Sequence, residues 1–448
     1  QSHQTEWNVK SKIFKRGFLS LIITQFFGAA NDNILKMVLI YMVIDGAWKG
    51  ELGSGGQGIV SLCFTVPFIL LSGYAGQFAD KNSKSYVSVL VKVVEIPIAL
   101  LALTGFLLGN LWITLSALVA LTCQSAFFGP AKYGMIPELV ERGDLSRANG
   151  TINMMTNIAV IVGTLIGGMI ADVYSPRPDE NGVTAEAVVW LPGVVLIIVA
   201  VFGLIAVLSI PHLEAQDCTL TYHRNPFSVY FKSLKEISKT PLLMIIFAWG
   251  YFYFLAGLVL LIIPEYSVVL RSYNVSRTEV SVLMGVMGVA IGLGCVLAGL
   301  ISGHTIKPLL VPIGAAGITI FFALLGFVPP TLPNFNPYWR ILFSPIAAFI
   351  FGAGISAGFY IIPLQALIQR LSPEDERGQI LGTANGVSFA FLALSSALYW
   401  VIRPLYGVSP NPEHPERIFL ISAILMVLGA AFFFWRMKKR AFAFSTVE

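Results

Sequence analysis

Charge is what this chain has least of. Asp, Glu, Lys and Arg make up 12% of its 448 residues, about half the share a soluble protein carries. Beside 56% hydrophobic residues and a mean hydropathy of +0.76, that scarcity excludes an ordinary soluble enzyme. Cysteine is scarce too. Cys63, Cys123 and Cys295 fall in apolar runs and Cys218 in a polar loop. Their spacing offers neither a disulfide framework nor a zinc site, so they read as small buried hydrophobes. The five histidines are scattered and no phosphate-cradling glycine loop is present. We therefore expect no metal, no cofactor and no ATP-driven cycle. The alternating ten-residue segments of a membrane β-barrel are missing as well. Gln1 to Gly17 is polar and basic, so no cleavable signal is expected before the first apolar run.

What the chain has instead is long apolar runs, many reaching the ~20 residues that cross a bilayer as a helix. Twelve are expected. The first six are 18–44, 57–78, 86–108, 111–129, 147–171 and 188–210; the other six are 242–264, 279–303, 308–328, 339–362, 379–402 and 417–437. The fold class is thus an all-α polytopic membrane protein. With both termini inside, 20 Lys and Arg fall on cytoplasmic loops and tails. Seven fall outside: Lys49, Arg177, Arg271, Arg277, Arg340, Arg403 and Arg417. That bias places both termini in the cytoplasm. The net charge of +5 concerns orientation and makes no case for nucleic acid.

The longest cytoplasmic loop, 211–241, divides the chain into bundles at 18–210 and 242–437, with a segment at 1–17 and a tail at 438–448. The bundles repeat each other. GQFADKNSK, Gly76 to Lys84, is answered by GLISGHTIK, Gly299 to Lys307. FFGPAKYG from Phe127, resuming at Ala148-Asn149-Gly150, is answered by FYIIPLQA from Phe359, resuming at Ala384-Asn385-Gly386. Two pseudo-symmetric six-helix bundles joined by a cytoplasmic loop resemble the major facilitator transporters. In the first repeat Gly73 and Gly76 permit close helix approach, and Pro130 marks where the fourth span ends. Asp80, with Lys81 and Lys84, reads either as a latch between the halves or as an ordinary charged loop. Gly303 stands in place of the acid in the second copy.

Polar residues inside the spans are the candidate site. Asp32 lies fourteen residues into the first span, about 21 Å deep and near the bilayer middle. A carboxylate there costs at least ~2.5–3.5 kcal/mol and must face the bundle interior or water. Lys36 shares its helix face, and Asn33 can join them. The group reads as a binding or coupling site, or else as an Asp32–Lys36 pair tethering helices. Lys92 and Glu95 share a face of the third span, and the alternative for Lys92 is to snorkel to water. Asn149, Asn153 and Asn157 form a stripe that lines a cavity or glues helices. Lys132 reads as a site for a lipid phosphate or as a plain inner-surface lysine. Trp249, Tyr251, Phe252, Tyr253 and Phe254 are packing residues or the wall of a cavity suited to an acyl chain. His212 to Asp217 spells H-x-x-x-x-D, an acyltransferase pattern, but the loop is too short for a catalytic domain.

QFFGAANDN, AGQFADKNSK, FFGPAKYGMIPELV with RANG, GGMIAD and IIPLQALIQ together resemble the bacterial lysophospholipid transporter family. The resemblance covers most of both bundles and is strongest from Gln25 to Asp172. It implies an inner-membrane protein that is not an enzyme. Such a protein moves lysophosphatidylethanolamine from the outer to the inner leaflet by alternating access. It also implies a partner, or fused, acyltransferase–acyl-ACP synthetase that restores the second chain. A monomer is expected from the architecture. Asp32 matches the family's first-span acid and Lys132 its PAKYG lysine. Asn153 stands where the family has a carboxylate, and the family's seventh-span arginine falls near Ala256. Lys36 and Lys92 are candidates to supply the missing positive charge. The competing readings are a siderophore or drug transporter with Asp32 as a proton site, a non-transporting partner that docks an enzyme through 211–241, and an enzyme resting on His212 and Asp217.

Overall fold

A computed structural model of the chain describes residues 16–141, 144–178, 182–213, 234–235, 237–238, 240–302, 306–333, 339–372, 377–406 and 414–444. The candidate His212–Asp217 motif ends outside the described residues, as do most of the 211–241 loop, Cys218 and Gly303. The first six helices are α1 (Arg16–Ile44), α2 (Gly56–Lys81), α3 (Lys84–Leu107), α4 (Leu111–Leu139), α5 (Leu145–Tyr174) and α6 (Leu191–Val207). The second six are α7 (Leu242–Ile262), α8 (Arg277–Ser302), α9 (Leu310–Phe327), α10 (Pro345–Leu371), α11 (Arg377–Ile402) and α12 (Ile418–Phe444). Eleven spans among the described residues are long and apolar enough to cross a membrane; Leu191–Val207, at 17 residues, is a shorter apolar helix. No strand occurs among the described residues.

Local chemistry starts and stops these helices. Gly109, with φ +58, ends α3 in the left-handed region that favours glycine. Asn110 then caps α4, its Oδ1 accepting from the Ile113 N–H at 3.1 Å. So short a turn leaves α3 and α4 antiparallel neighbours, and they pack along their length. Ser344 caps α10 in the same way, with Pro345 at the first helical position.

Three expected boundaries move most, and one is the tenth span, where α10 runs through Pro363 to Leu371 instead of ending at 362. Pro130 does not end the fourth span: α4 runs through Pro130 and Pro137 to Leu139. Proline removes one helical N–H, but inside a bundle the freed carbonyl finds other partners, so the helix continues. At the far end, α12 extends past 437 to Phe444, into the expected tail.

Helices α1, α3, α4, α5 and α6 pack among themselves, with α2 on α4; α7 to α12 form the matching group. The two groups meet along α2 with α11 and α5 with α8. At the face opposite Arg16, polar side chains tie them together. Arg277, the first residue of α8, is 1% exposed and forms an ion pair with Asp45 beyond the end of α1. It also donates to the carbonyls of Ala171 and Ser175, both at 2.9 Å. Asp172 of α5 caps α8, accepting from the N–H of Arg277 at 3.0 Å and of Thr278 at 2.9 Å. A carboxylate at a helix N-terminus also answers the helix dipole. Arg177 bridges back from the first bundle to Asp45 at 2.5 Å and to the Ser267 carbonyl at 2.8 Å.

A second tie lies on the other seam. Gln57 of α2 donates to Glu265, which follows α7. Glu265 is held bidentately by Arg403, at 2.7 and 3.0 Å, and accepts from Tyr399 at 2.9 Å. Deeper in, Ser396 meets Ser61 at 2.8 Å, Tyr41 meets Ser281 at 2.8 Å, and Phe68 stacks on Phe389 at 5.0 Å. Arg277→Gln should loosen this closed face. In a cysteine-free background, Ser281→Cys should then react with a membrane-impermeant maleimide about tenfold faster or more, the ratio that ~1.4 kcal/mol of lost closed-state preference produces. An unchanged labelling rate would show that Arg277 does not hold the face shut.

Candidate substrate site

Midway along α1, two neighbouring residues serve two linked clusters, since Ser125 of α4 donates both to Asp32 and to Gln124. Asn31 turns toward α3, where its amide donates to Glu95 Oε1 at 2.6 Å. Lys92 donates to Glu95 Oε2 at 2.6 Å, and both side chains are 1% exposed. Gln124 of α4 donates to Glu95 at 3.1 Å and to the Val91 carbonyl at 3.1 Å. Room for the lysine comes from glycine: a Cβ on Gly28 would stand 2.6 Å from Lys92 Nζ. Lys92 therefore does not snorkel to water, as its position near one end of the span allowed. Its partner three residues on holds it inside. The cluster binds α1, α3 and α4 of the first bundle into one body. Breaking one member of such a pair costs about 3–5 kcal/mol, because the other charge stays buried.

Asp32 is 8% exposed and lies within electrostatic reach of Glu95 and Lys92 as well as of Lys36. Ser125 of α4 lies 2.8 and 3.0 Å from its two oxygens and donates to it. Among the described residues no cation comes within ion-pair distance of Asp32. The expected alternative, an Asp32–Lys36 pair, does not form. Lys36 instead places its ammonium 4.5 Å above the Phe64 ring of α2. Lys132 sits within α4, 7% exposed, with its ammonium 4.5 Å above the Tyr133 ring. It is not the surface lysine of a span that ends at Pro130, because the helix carries it onward. Lys36 and Lys132 each lie within electrostatic reach of Asp32. Neither forms an ion pair among the described residues. The Tyr133 hydroxyl donates to Asn153 Oδ1 of α5 at 3.0 Å, and both residues are exposed, so the cluster opens beside them.

Other candidates separate from this group. Asn33 donates to the Ala29 carbonyl of its own helix at 2.8 Å and packs at the α1–α5 contact, against Gly163. Asn149 is half-buried at the start of α5, while Asn157 is exposed two turns along. Trp249 is buried, its indole N–H without a partner among the described residues, and meets Tyr253 edge-on at 5.1 Å. Tyr251 points away to α12, donating to the Leu425 carbonyl at 2.5 Å.

Of the expected loop latch, Lys84 turns to its own bundle. Lys84 is buried against Gly134 and pairs with Glu138 of α4 at 2.5 Å, within the first bundle. Asp80 lies on the last turn of α2, and among the described residues nothing packs above Gly76 within 4 Å. The ties across the seam came from residues that sequence reasoning had left as outer-side charges: Arg177, Arg277 and Arg403, with Asp45, Asp172 and Glu265. The signal that could have found them was Asp172, at the end of the quoted GGMIAD stretch, facing an arginine surplus of otherwise unexplained purpose.

A helical bundle of this topology, with a charged site enclosed in one half, is that of a secondary transporter. The family model described as Major Facilitator Superfamily matches residues 21–397, and the chain belongs to that family. It is accordingly a multi-pass membrane transporter. It is 25% identical over 397 residues to the lysophospholipid transporter LplT of Serratia proteamaculans, covering 87% of each protein. To the LplT of Cronobacter sakazakii it is 25% identical over 436 residues, covering 95% of this chain and 98% of that one. Among solved structures it is similar to the nucleoside transporter NupG, with a TM-score of 0.65 at 15% identity, over 94% of this chain and 99% of the other. A bacterial homologue of the human lysosomal transporter Spinster, inward-facing and unoccupied, gives a TM-score of 0.67 at 13% identity, over 93% and 95%.

The buried pair has a clear test of its role. Lys92→Met should destabilise the protein by about 3–5 kcal/mol, and Lys92→Met with Glu95→Leu should recover most of that loss. Thermal unfolding of the detergent-solubilised protein measures both. A double variant no more stable than the single one would mean that the pair does not act as a unit.

Proposed function

We propose that this chain carries lysophosphatidylethanolamine-like lipids from the outer to the inner leaflet of the bacterial inner membrane by alternating access. The observation that carries the reading is the set of unpaired charges around one cluster. Among the described residues Asp32 forms no ion pair, and neither Lys36 nor Lys132 pairs with a carboxylate. An ammonium and a phosphate, joined in one headgroup, answer both needs. Charge-assisted hydrogen bonds of this kind are shorter and about twice as strong as neutral ones. The LplT relatives are named for that substrate class.

The basic residues at 1–17, in the loops beside Arg16 and in the tail at 438–448 support an Arg16 face in the cytoplasm. The Asp45–Arg277–Asp172 and Gln57–Glu265–Arg403 ties then close the outer side, and the headgroup site is reached from within. Rocking of bundles 18–210 and 242–437 about the site would exchange that closure for one at the cytoplasmic side. The transported lipid would pass to an acyltransferase–acyl-ACP synthetase, a partner or a fused domain. The transporter itself would act as a monomer without catalysis.

A proton-coupled carrier of a siderophore or drug is the competing reading, since Asp32 would also serve as a proton site. Uptake of radiolabelled lysophosphatidylethanolamine by cells lacking their own transporter separates the two. Wild type should move the lipid with or without an imposed pH gradient. Asp32→Asn, at matched expression, should lose about tenfold to a hundredfold, the worth of one hydrogen bond to a charged group. Lys36→Gln and Lys132→Gln should each weaken uptake less, because each leaves the other cation in place. No uptake by wild type would overturn the lipid reading.

A further inference from the structure

The charged groups of the candidate site all belong to the first bundle: Asp32 and Lys36 to α1, Lys132 to α4. In α7 to α12, charged residues stand only toward the helix ends. Whatever the second bundle offers a polar substrate at mid-depth is therefore neutral. Such a contact matters for transport. A ligand shifts a conformational equilibrium only by its differential affinity for the two states. Contacts confined to one rigid bundle stay the same in both.

One neutral donor of the second bundle is unmet. Trp249 of α7 is 8% exposed, and its indole N–H has no partner among the described residues. A buried donor left in that state bears its full desolvation penalty. One turn on, Tyr253 meets the indole edge-on at 5.1 Å. A ring is at most a second-order acceptor for an N–H. Tyr253 is half-buried, and its hydroxyl has no hydrogen-bond partner among the described residues. It lies within electrostatic reach of Cys295 of α8 and of Tyr133 of α4. The Lys132 ammonium sits over that same Tyr133 ring. Lys132, Tyr133, Tyr253 and Trp249 therefore run in order from the charged site of the first bundle into the second.

A lysolipid presents its groups in a matching order. Beside the phosphate comes the glycerol, whose free hydroxyl both accepts and donates a hydrogen bond. Tryptophan offers a donor only, and a tyrosine hydroxyl can play either part. We propose that Trp249 and Tyr253 read that free hydroxyl: the indole N–H donates to its oxygen and the Tyr253 oxygen accepts its proton, while Lys36 and Lys132 hold the phosphate. The proposal rests on the lysolipid reading above. The contact does two things. It ties the substrate to the second bundle, so both halves feel its arrival. It also separates one-chain from two-chain lipids, because a second acyl ester removes the O–H and sets a chain in its place.

The test uses the full chain in cells lacking their own transporter. The probes are radiolabelled palmitoyl lysophosphatidylethanolamine and its deoxy counterpart, which lacks only the free glycerol hydroxyl. The readout is the ratio of the two uptake rates within each protein, so differences in expression cancel. Comparing that ratio between variant and wild type also cancels the different membrane partitioning of the two lipids. Trp249→Phe and Tyr253→Phe should each lower the ratio by about twofold to tenfold, the worth of one neutral hydrogen bond. A lowered ratio in both supports the contact. The wild-type ratio in either variant, including an equal loss of both lipids, overturns it and leaves the headgroup reading standing. Should one variant fail to reach the membrane, the other alone decides. Failure of wild type to move either lipid overturns that parent reading, and the contact with it.

Discussion

A charge inside an apolar bundle must be met by another group or face a wet path, because desolvation alone costs several kcal/mol per ion. The polar architecture of this chain follows from that constraint. Glu95 is met by Lys92, Asn31 and Gln124. Glu265 is met by Arg403, Tyr399 and Gln57. Asp45 and Asp172 are met by Arg277, with Arg177 supporting Asp45. Asp32 is met by one serine hydroxyl. The unequal treatment separates groups that build the protein from the one proposed here to meet a substrate.

The placement of these ties suits a molecule that must change shape. The Lys92–Glu95 and Lys84–Glu138 pairs lie within the first bundle, so they stiffen a unit that moves as a body. The Asp45–Arg277–Asp172 and Gln57–Glu265 contacts cross the seam, so they hold one arrangement of the two bodies. Charged and polar ties across a seam can be exchanged for water when the seam opens. An interlocked apolar seam would expose its surface instead. Packed interfaces of this kind switch between discrete arrangements rather than deforming continuously.

Much of the fold was legible in the sequence because lipid leaves the backbone few choices: long apolar runs must be helices. The twelve runs, the two repeated halves and the transporter class all came from that rule together with the internal repeat. Less of the site was legible. Asp32 stood out by depth alone. Its separation from Lys36 did not, since spacing four apart along a helix allows a pair without requiring one. The spacing of Lys92 to Glu95 allowed a pair as well, yet whether the lysine stays inside depended on the gap that Gly28 leaves on a different helix. Pro130 misled because local preference ends a helix at proline in water, while neighbours in a bundle let it continue.

The sequence by itself determined what each segment must do with lipid: which stretches cross, how the halves repeat, and that an acid lies near the middle of the first span. Those are properties of hydropathy and period, which act locally. The tertiary structure alone decided which charges find each other. Arg277 and Asp45 stand on opposite sides of the loop that divides the chain, as do Gln57 and Glu265. Only the approach of α5 to α8 and of α2 to α11 brings such residues within reach.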